Sequence, residues 1–107
     1  MAHGGPIQTP FIYDSGADAN GKSVSITINF NNATRAITGG TLHRDSGCLY
    51  RHIYIGLGAN GQPDSTTHTF NISSVNGDLA VTAGQMAAVG LTTIEDVTAL
   101  GQITAGP

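Results

Sequence analysis

Apolar and polar residues alternate along much of the chain with a period of two, which is typical of β-strands that are buried on one face. The clearest segment is Ser23 to Phe30, SVSITINF, in which every second residue is aliphatic or aromatic. A shorter apolar run at Phe11 to Tyr13 precedes it, and Asn20-Gly21 between them is typical of a tight turn. The pattern therefore predicts a first β-hairpin over residues 8 to 30.

Further strands are predicted along the next part of the chain. They are Ala33 to Arg44, Cys48 to Leu57, Thr66 to Ser73 and Leu79 to Val81. Within the first of these, the pair Gly39-Gly40 predicts a bulge or a close approach of two backbones. Before the last, the pair Asn76-Gly77 predicts a two-residue hairpin turn.

The last quarter of the chain changes to a helical pattern. Apolar residues at helical spacing predict a short helix from Thr93 to Leu100. Thr92 followed by Glu95 matches a capping box at its start, and Gly101 fits its end. A shorter helical turn is predicted over Gln85 to Val89.

Together these elements predict an all-β protein, namely a single-domain antiparallel β-sandwich of jelly-roll or immunoglobulin-like size with a short C-terminal helix. A chain of 107 residues is expected to form one domain and to bury about two thirds of its unfolded surface. We expect the sandwich to span residues 1–107, with residues 1–7 flexible and residues 84–107 forming a small helical or irregular closure.

The composition predicts a neutral surface that favours self-association. Only 10% of the residues are charged, against roughly a quarter in an average soluble domain. Low charge removes much of the repulsion that keeps copies of a protein apart. The net charge of -3 and the lack of a basic run argue against a nucleic-acid partner.

The sequence carries few signs of targeting or of covalent stabilisation. Its first residues lack the features of a secretory signal, and no run of 18 apolar residues occurs. We therefore expect a soluble protein without membrane insertion, most compatible with a virion or the cytoplasm. A single cysteine excludes a disulfide within the chain.

The segment HRDSGCLYRHIYIG, residues 43 to 56, concentrates residues that can carry chemistry. If it is a strand, one face presents Cys48, Tyr50, His52 and Tyr54, and the other presents Leu49, Arg51, Ile53 and Ile55. Four residues along a strand span roughly 13 Å, so Cys48 and His52 would not form a catalytic dyad directly. No catalytic residue is assigned.

Two sets of residues are candidate metal ligands. His43, His52 and His68 could converge on zinc across strands, although scattered histidines with hydroxyl or water partners explain the same residues. Asp14, Asp18 and Asn20 could supply calcium with oxygen ligands, although an Asx-stabilised turn explains them equally. No cofactor is expected.

The function predicted from these features is that of a non-enzymatic, self-assembling structural subunit, of the virion decoration, tail or surface-layer type. Its partner would be itself, with Tyr50, His52 and Tyr54 as interface contacts. Arg44 and Arg51 are expected to pair with Asp45 or with an acid of a neighbouring copy.

Two other functional classes stay open. A carbohydrate-binding module or lectin would use the same tyrosines to stack on a sugar. A small metal- or thiol-dependent enzyme would use the histidines or the cysteine.

Overall fold

A computed structural model describes residues 10–56 and 68–107, in which the chain is mostly β. The strands in this part are β1 Phe11–Ala17, β2 Ser23–Phe30, β3 Ile37–Arg44, β4 His52–Ile55, β5 Thr69–Asn71, β6 Gly77–Thr82 and β7 Ile103–Gly106. The helices are α1 Ala83–Ala88 and α2 Ile94–Leu100. The expectation of flexible residues 1–7 lies outside the described residues.

The strands form two antiparallel sheets. The larger sheet has the order β1-β2-β3-β6, and the smaller sheet has the order β5-β4-β7. All of these neighbours pair antiparallel, as the alternating pattern predicted. The first hairpin is also confirmed within the described residues, because β1 pairs with β2 across a turn that contains Asn20 and Gly21.

In β2, the alternation of apolar and polar residues matches the burial of their side chains. Its four apolar side chains are buried, and the residues between them are exposed or half-buried. In register with the neighbouring strands, Ile26 lies between Tyr13 and Leu42, which are buried on the same face. This face of the larger sheet therefore forms one side of the hydrophobic core.

One cluster of buried side chains joins the two sheets and the two helices. It includes Ile28 of the larger sheet, Ile53 of the smaller sheet, Met86 of α1 and Ile94 of α2, each with no exposed area. Burying a side chain of this size contributes about 1.5 to 3 kcal/mol to folding. Both sheets and both helices thus depend on the same core.

The pair Gly39-Gly40 marks the irregularity that the sequence predicted. Asn29 lies opposite Gly39, whereas the next residue, Phe30, lies opposite Ile37, so β3 carries an extra residue at this point. Gly39 has a φ of 145°, a conformation that side chains rarely adopt. The strand bulges here and stays within the larger sheet.

At Gly40 the neighbouring backbone lies too close to leave room for a side chain. A Cβ at this position would lie 2.0 Å from the carbonyl oxygen of Thr27 and 2.8 Å from the Met86 methyl group. Because Met86 belongs to α1, the missing side chain also lets the helix pack on the sheet. The absence of a side chain at Gly40 therefore allows both β2 and α1 to pack closely against β3.

The predicted strand from Cys48 to Leu57 is shorter in the structure. β4 begins at His52, and the residues from Cys48 to Arg51 form a loop. Cys48 is buried and Leu49 is about half exposed, which is the reverse of the burial predicted for a strand. The inward orientation of Ile53 and Ile55 is confirmed. Leu57 lies outside the described residues.

The hairpin predicted at Asn76-Gly77 is wrong. β5 pairs with β4 and β6 pairs with β3, so the turn carries the chain from the smaller sheet to the larger one. The turn itself forms, with a left-handed φ of 77° at Gly77. Ile72 and Val75 before it are buried in the core, which fixes the crossing. Turn residues set a change of direction without selecting the strand that pairs.

The C-terminal helix is confirmed with a different cap. α2 starts after Thr93, whose side chain accepts from the Asp96 amide, so the capping box is Thr93 with Asp96 and not Thr92 with Glu95. The Asp96 carboxylate accepts from both threonine amides at 2.8 Å. These bonds lower the pKa of Asp96 to about 2. Gly101 ends the helix in the left-handed conformation.

Residues 84–107 contain more helix and strand than the small helical or irregular closure that the sequence predicted. The helical turn predicted at Gln85 to Val89 exists as α1, and β7 adds a strand that pairs with β4. A segment of four residues, ITAG, is too short to show a period of two. Neither of the two described helices is long and apolar enough to cross a membrane.

Replacing Gly40 with alanine tests the close approach in the larger sheet. Gly40→Ala is expected to lower the free energy of unfolding by about 3 kcal/mol, because the added methyl group overlaps a backbone oxygen. The control is Gly84→Ala in α1, where the nearest atom lies 3.8 Å away. It should stabilise the protein by less than about 1 kcal/mol. Urea denaturation measures both, and equal stabilities would contradict the packing described.

Candidate functional site

His52 and Tyr54 form a stacked pair on the outer face of the smaller sheet. They alternate along β4 with Ile53 and Ile55, which point into the core. The ring centroids of His52 and Tyr54 lie 5.5 Å apart, and the ring planes are inclined by 25°. The Tyr54 hydroxyl donates to the Pro107 carbonyl oxygen at 3.2 Å. His52 and Tyr54 therefore share the face opposite Ile53 and Ile55, as the alternation predicted.

The surroundings of this pair are polar. His52 lies between Asn71 of β5 and Gly106 of β7, and Tyr54 has Thr104 of β7 beside it. The His52 Nδ1 and Thr104 Oγ1 atoms are buried, and neither has a hydrogen-bond partner in the part of the chain that the structure describes. A buried polar atom without a partner costs about 1 to 3 kcal/mol. We call His52, Tyr54 and Thr104 the β4 face.

Tyr50 does not join the β4 face, contrary to the predicted ladder. It lies in the loop before β4, half-buried against the core, and its hydroxyl donates to the Ala17 carbonyl oxygen at 3.3 Å. Since the strand begins only at His52, the alternation does not extend back to this residue. Tyr50 connects the loop to the end of β1.

Arg44 has a structural environment that the sequence did not predict. It is only 9% exposed, and it does not pair with Asp45. Its Nε donates to the Tyr50 carbonyl oxygen at 2.8 Å, its Nη1 donates to the Val75 carbonyl oxygen at 3.4 Å, and its Nη2 donates to the Cys48 carbonyl oxygen. The guanidinium thus donates hydrogen bonds to three backbone carbonyl groups that lie outside the paired strands.

Arg51 differs from Arg44. Its side chain is exposed and forms no ion pair within the described residues, so the predicted pairing with Asp45 is absent for this arginine also. Its backbone joins the smaller sheet, because the Arg51 amide donates to the Gly106 carbonyl oxygen at 2.9 Å.

Asp18 and Asn20, two of the calcium candidates, hold loops together. The Asp18 carboxylate accepts from the amides of Asn20 at 2.8 Å and Lys22 at 2.9 Å, and also from the Leu49 amide. These bonds, the one to Leu49 above all, lower the pKa of Asp18 to about 2. Asn20 Nδ2 donates to the Gly47 carbonyl oxygen at 3.2 Å. The Asx-stabilised turn therefore describes these residues.

The three histidines considered for zinc do not come together. His43 lies in the larger sheet, and His68 precedes β5, where its Nδ1 lies 2.7 Å from the Val89 carbonyl oxygen. Asp14, the third calcium candidate, is exposed on β1. In residues 10–56 and 68–107, no group of three or more His, Cys, Asp or Glu side chains could hold a metal ion.

Cys48 lies in a protected environment. It is buried in the core, and desolvation raises the pKa of its thiol. A raised pKa reduces the thiolate fraction, which is the reactive form of cysteine. The side-chain hydrogen bond of Cys48 is with Asp18, and it raises the pKa of the thiol further.

A second polar cluster, which the sequence did not reveal, lies on the outer face of the larger sheet. His43 Nδ1 lies 2.6 Å from Asp78 Oδ1, and His43 Nε2 lies 3.0 Å from Asp45 Oδ1. The hydrogen bonds to these carboxylates raise the pKa of His43. His43 and Asp78 meet only because β3 pairs with β6, so no local signal could identify the cluster.

Comparison with protein-family models, with curated proteins and with solved structures finds no significant match for this chain. The candidate site therefore rests on the chemistry and geometry of the residues themselves.

Arg44 is expected to be necessary for stability and Arg51 to be dispensable. Arg44→Met should lower the free energy of unfolding by about 3 kcal/mol, because buried carbonyl groups lose charged donors. Arg51→Met, at an exposed position, should change it by less than about 0.5 kcal/mol. Chemical denaturation compares the two, and equal effects would show that the Arg44 bonds do not stabilise the loop.

Because two carboxylates lie beside His43, we expect the free energy of unfolding to fall as pH rises through the titration of this histidine. Protonated His43 is stabilised in the folded state, so its contribution is complete below the ordinary pKa of 6.5. That contribution declines as pH rises above 6.5 and is lost above the raised pKa of the folded protein. Urea midpoints across this range, with an NMR titration of His43, measure the effect. His43→Gln should remove this pH dependence, and an unchanged slope in this variant would contradict the assignment.

Proposed function

We propose that this chain is a non-enzymatic structural β-sandwich subunit that assembles with copies of itself, of the virion decoration, tail or surface-layer type. The observation that carries the proposal is the β4 face, where the stacked rings of His52 and Tyr54 are only partly buried.

The sandwich arrangement is supported by the shared core. The inner sides of both sheets contribute to one buried cluster, through residues such as Ile28 in the larger sheet and Ile53 in the smaller. Two antiparallel sheets that each bury one face against a common core are the arrangement expected of a sandwich.

A protein partner suits the β4 face for chemical reasons. Tyrosine and histidine combine an apolar ring with a polar tip, and such residues lose little when another protein covers them. The low charge of the chain makes a second copy a suitable partner.

Sugar binding is the second candidate, because the stacked pair supports it as well. The face of Tyr54 could pack on a sugar ring while the exposed part of the His52 ring contacts the hydroxyl groups of the sugar. A thiol-dependent enzyme is less well supported, since burial raises the pKa of the Cys48 thiol.

Changing the β4 face should reduce assembly. Tyr54→Arg is expected to shift the protein toward monomer in light scattering over a wide range of concentration, because it places a charge in the contact. The control is Asn29→Arg, at an exposed position on β2 of the other sheet, which should leave the assembly unchanged.

The outcomes of this experiment separate the candidates. A wild-type protein that stays monomeric at high concentration would contradict the structural function. Glycan-array binding that is lost in Tyr54→Arg, together with an unchanged oligomeric state, would favour the sugar-binding function.

A further inference from the structure

β6 is an edge strand with an exposed outer side. It lies at the end of the order β1-β2-β3-β6, so β3 is its one strand neighbour among the described residues. Five of its six residues are exposed, and Val81 alone is buried. Its register with β3 is continuous over the whole strand. The backbone groups on its far side are therefore presented in a regular row.

The other described edges are shorter or irregular. β1 has a register break between Asp14 and Ala17 and also contacts β7. β5 has three residues and β7 has four. Natural edge strands are protected from pairing by bulges, by lysine or proline, or by shortness. β6, with the sequence GDLAVT, is longer than β5 and β7, keeps its register with β3 and contains neither lysine nor proline.

Leu79 gives this edge an apolar contact. It extends a row of side chains on the inner side of the larger sheet, next to Leu42 and in line with Ile26 and Tyr13. Those three are buried, whereas Leu79 is 49% exposed. A further strand beside β6 would cover Leu79 and continue the row.

The charge on β6 permits pairing with an identical strand. Asp78 is the one charged residue in the strand, and its carboxylate lies against His43 at 2.6 Å. In an antiparallel pair centred on Leu79, this leucine faces its own counterpart and Asp78 faces the partner's Ala80. The two carboxylates are then not opposite each other, which avoids the repulsion between like charges on paired strands.

We propose that β6 is an edge at which two copies of this chain pair antiparallel, so that two four-stranded sheets join into one continuous sheet. This inference rests on the proposed self-assembly and names one surface that carries it, separate from the β4 face. In the pair centred on Leu79, residues 77–81 of each strand face one another. This contact is small, so the pairing is concentration dependent.

The test compares two leucines of equal exposure in the full-length chain. Leu79→Lys places two positive charges beside each other at the centre of the strand pair, whereas Leu49→Lys changes an equally exposed leucine in the loop before β4. In sedimentation equilibrium, Leu79→Lys should raise the dissociation constant of the dimer by about tenfold or more. Leu49→Lys should associate like the wild type.

Hydrogen exchange locates the contact. In the wild type and in Leu49→Lys, the amides of residues 77–82 should become more protected as the concentration rises. In Leu79→Lys, their protection should not depend on concentration. Near-ultraviolet circular dichroism checks that the variants fold, and Ala80→Asp, which places a second carboxylate opposite the partner's Asp78, replaces Leu79→Lys if that variant unfolds.

Two results would overturn the proposal in different ways. If the wild type assembles and Leu79→Lys assembles equally well, or if the exchange of β6 is independent of concentration, edge pairing is wrong and self-assembly stands. If the wild type is monomeric at every concentration, both proposals fail.

Discussion

The guanidinium of Arg44 connects parts of the backbone that no strand ladder holds. It bonds to the carbonyl oxygens of Cys48 and Tyr50, in the loop that leads into β4, and to that of Val75, before β6. The first connection leads from the larger sheet to the smaller one, and the second leads back. Two of the three crossings between the sheets, from β3 to β4 and from β5 to β6, are therefore bonded to one buried cation, which also holds the loop before β4.

Several of the charged side chains that the structure describes bond to the backbone of the same chain. Asp18 and Asp96 accept hydrogen bonds from backbone amides, and Asp45 accepts one from Ser23 while it also faces His43. These carboxylates stabilise turns, a helix start and a sheet face.

Sequence patterns predicted the elements whose signals lie within one segment. They failed where contacts between residues distant in sequence determine the structure. The alternation of β2 and the helix after Thr93 were predictable because their signals lie within the segment. The partner of β6 was not, since the buried Ile72 and Val75 direct the chain into another sheet. The outward position of His52 and Tyr54 followed from alternation. Tyr50 and Arg44 could not be placed, because the start of β4 depends on contacts across the fold.

The crossing before β6 also has a consequence for the order of folding. β1, β2 and β3 follow one another along the chain and pair as neighbours, so they can form a meander early. β6 reaches β3 only after the chain has passed through β4 and β5, which makes this pairing a late, long-range step. Until β6 pairs with it, β3 is an edge strand of the partly formed larger sheet. During synthesis, the interval before β6 docks is when strand exchange between molecules is least hindered.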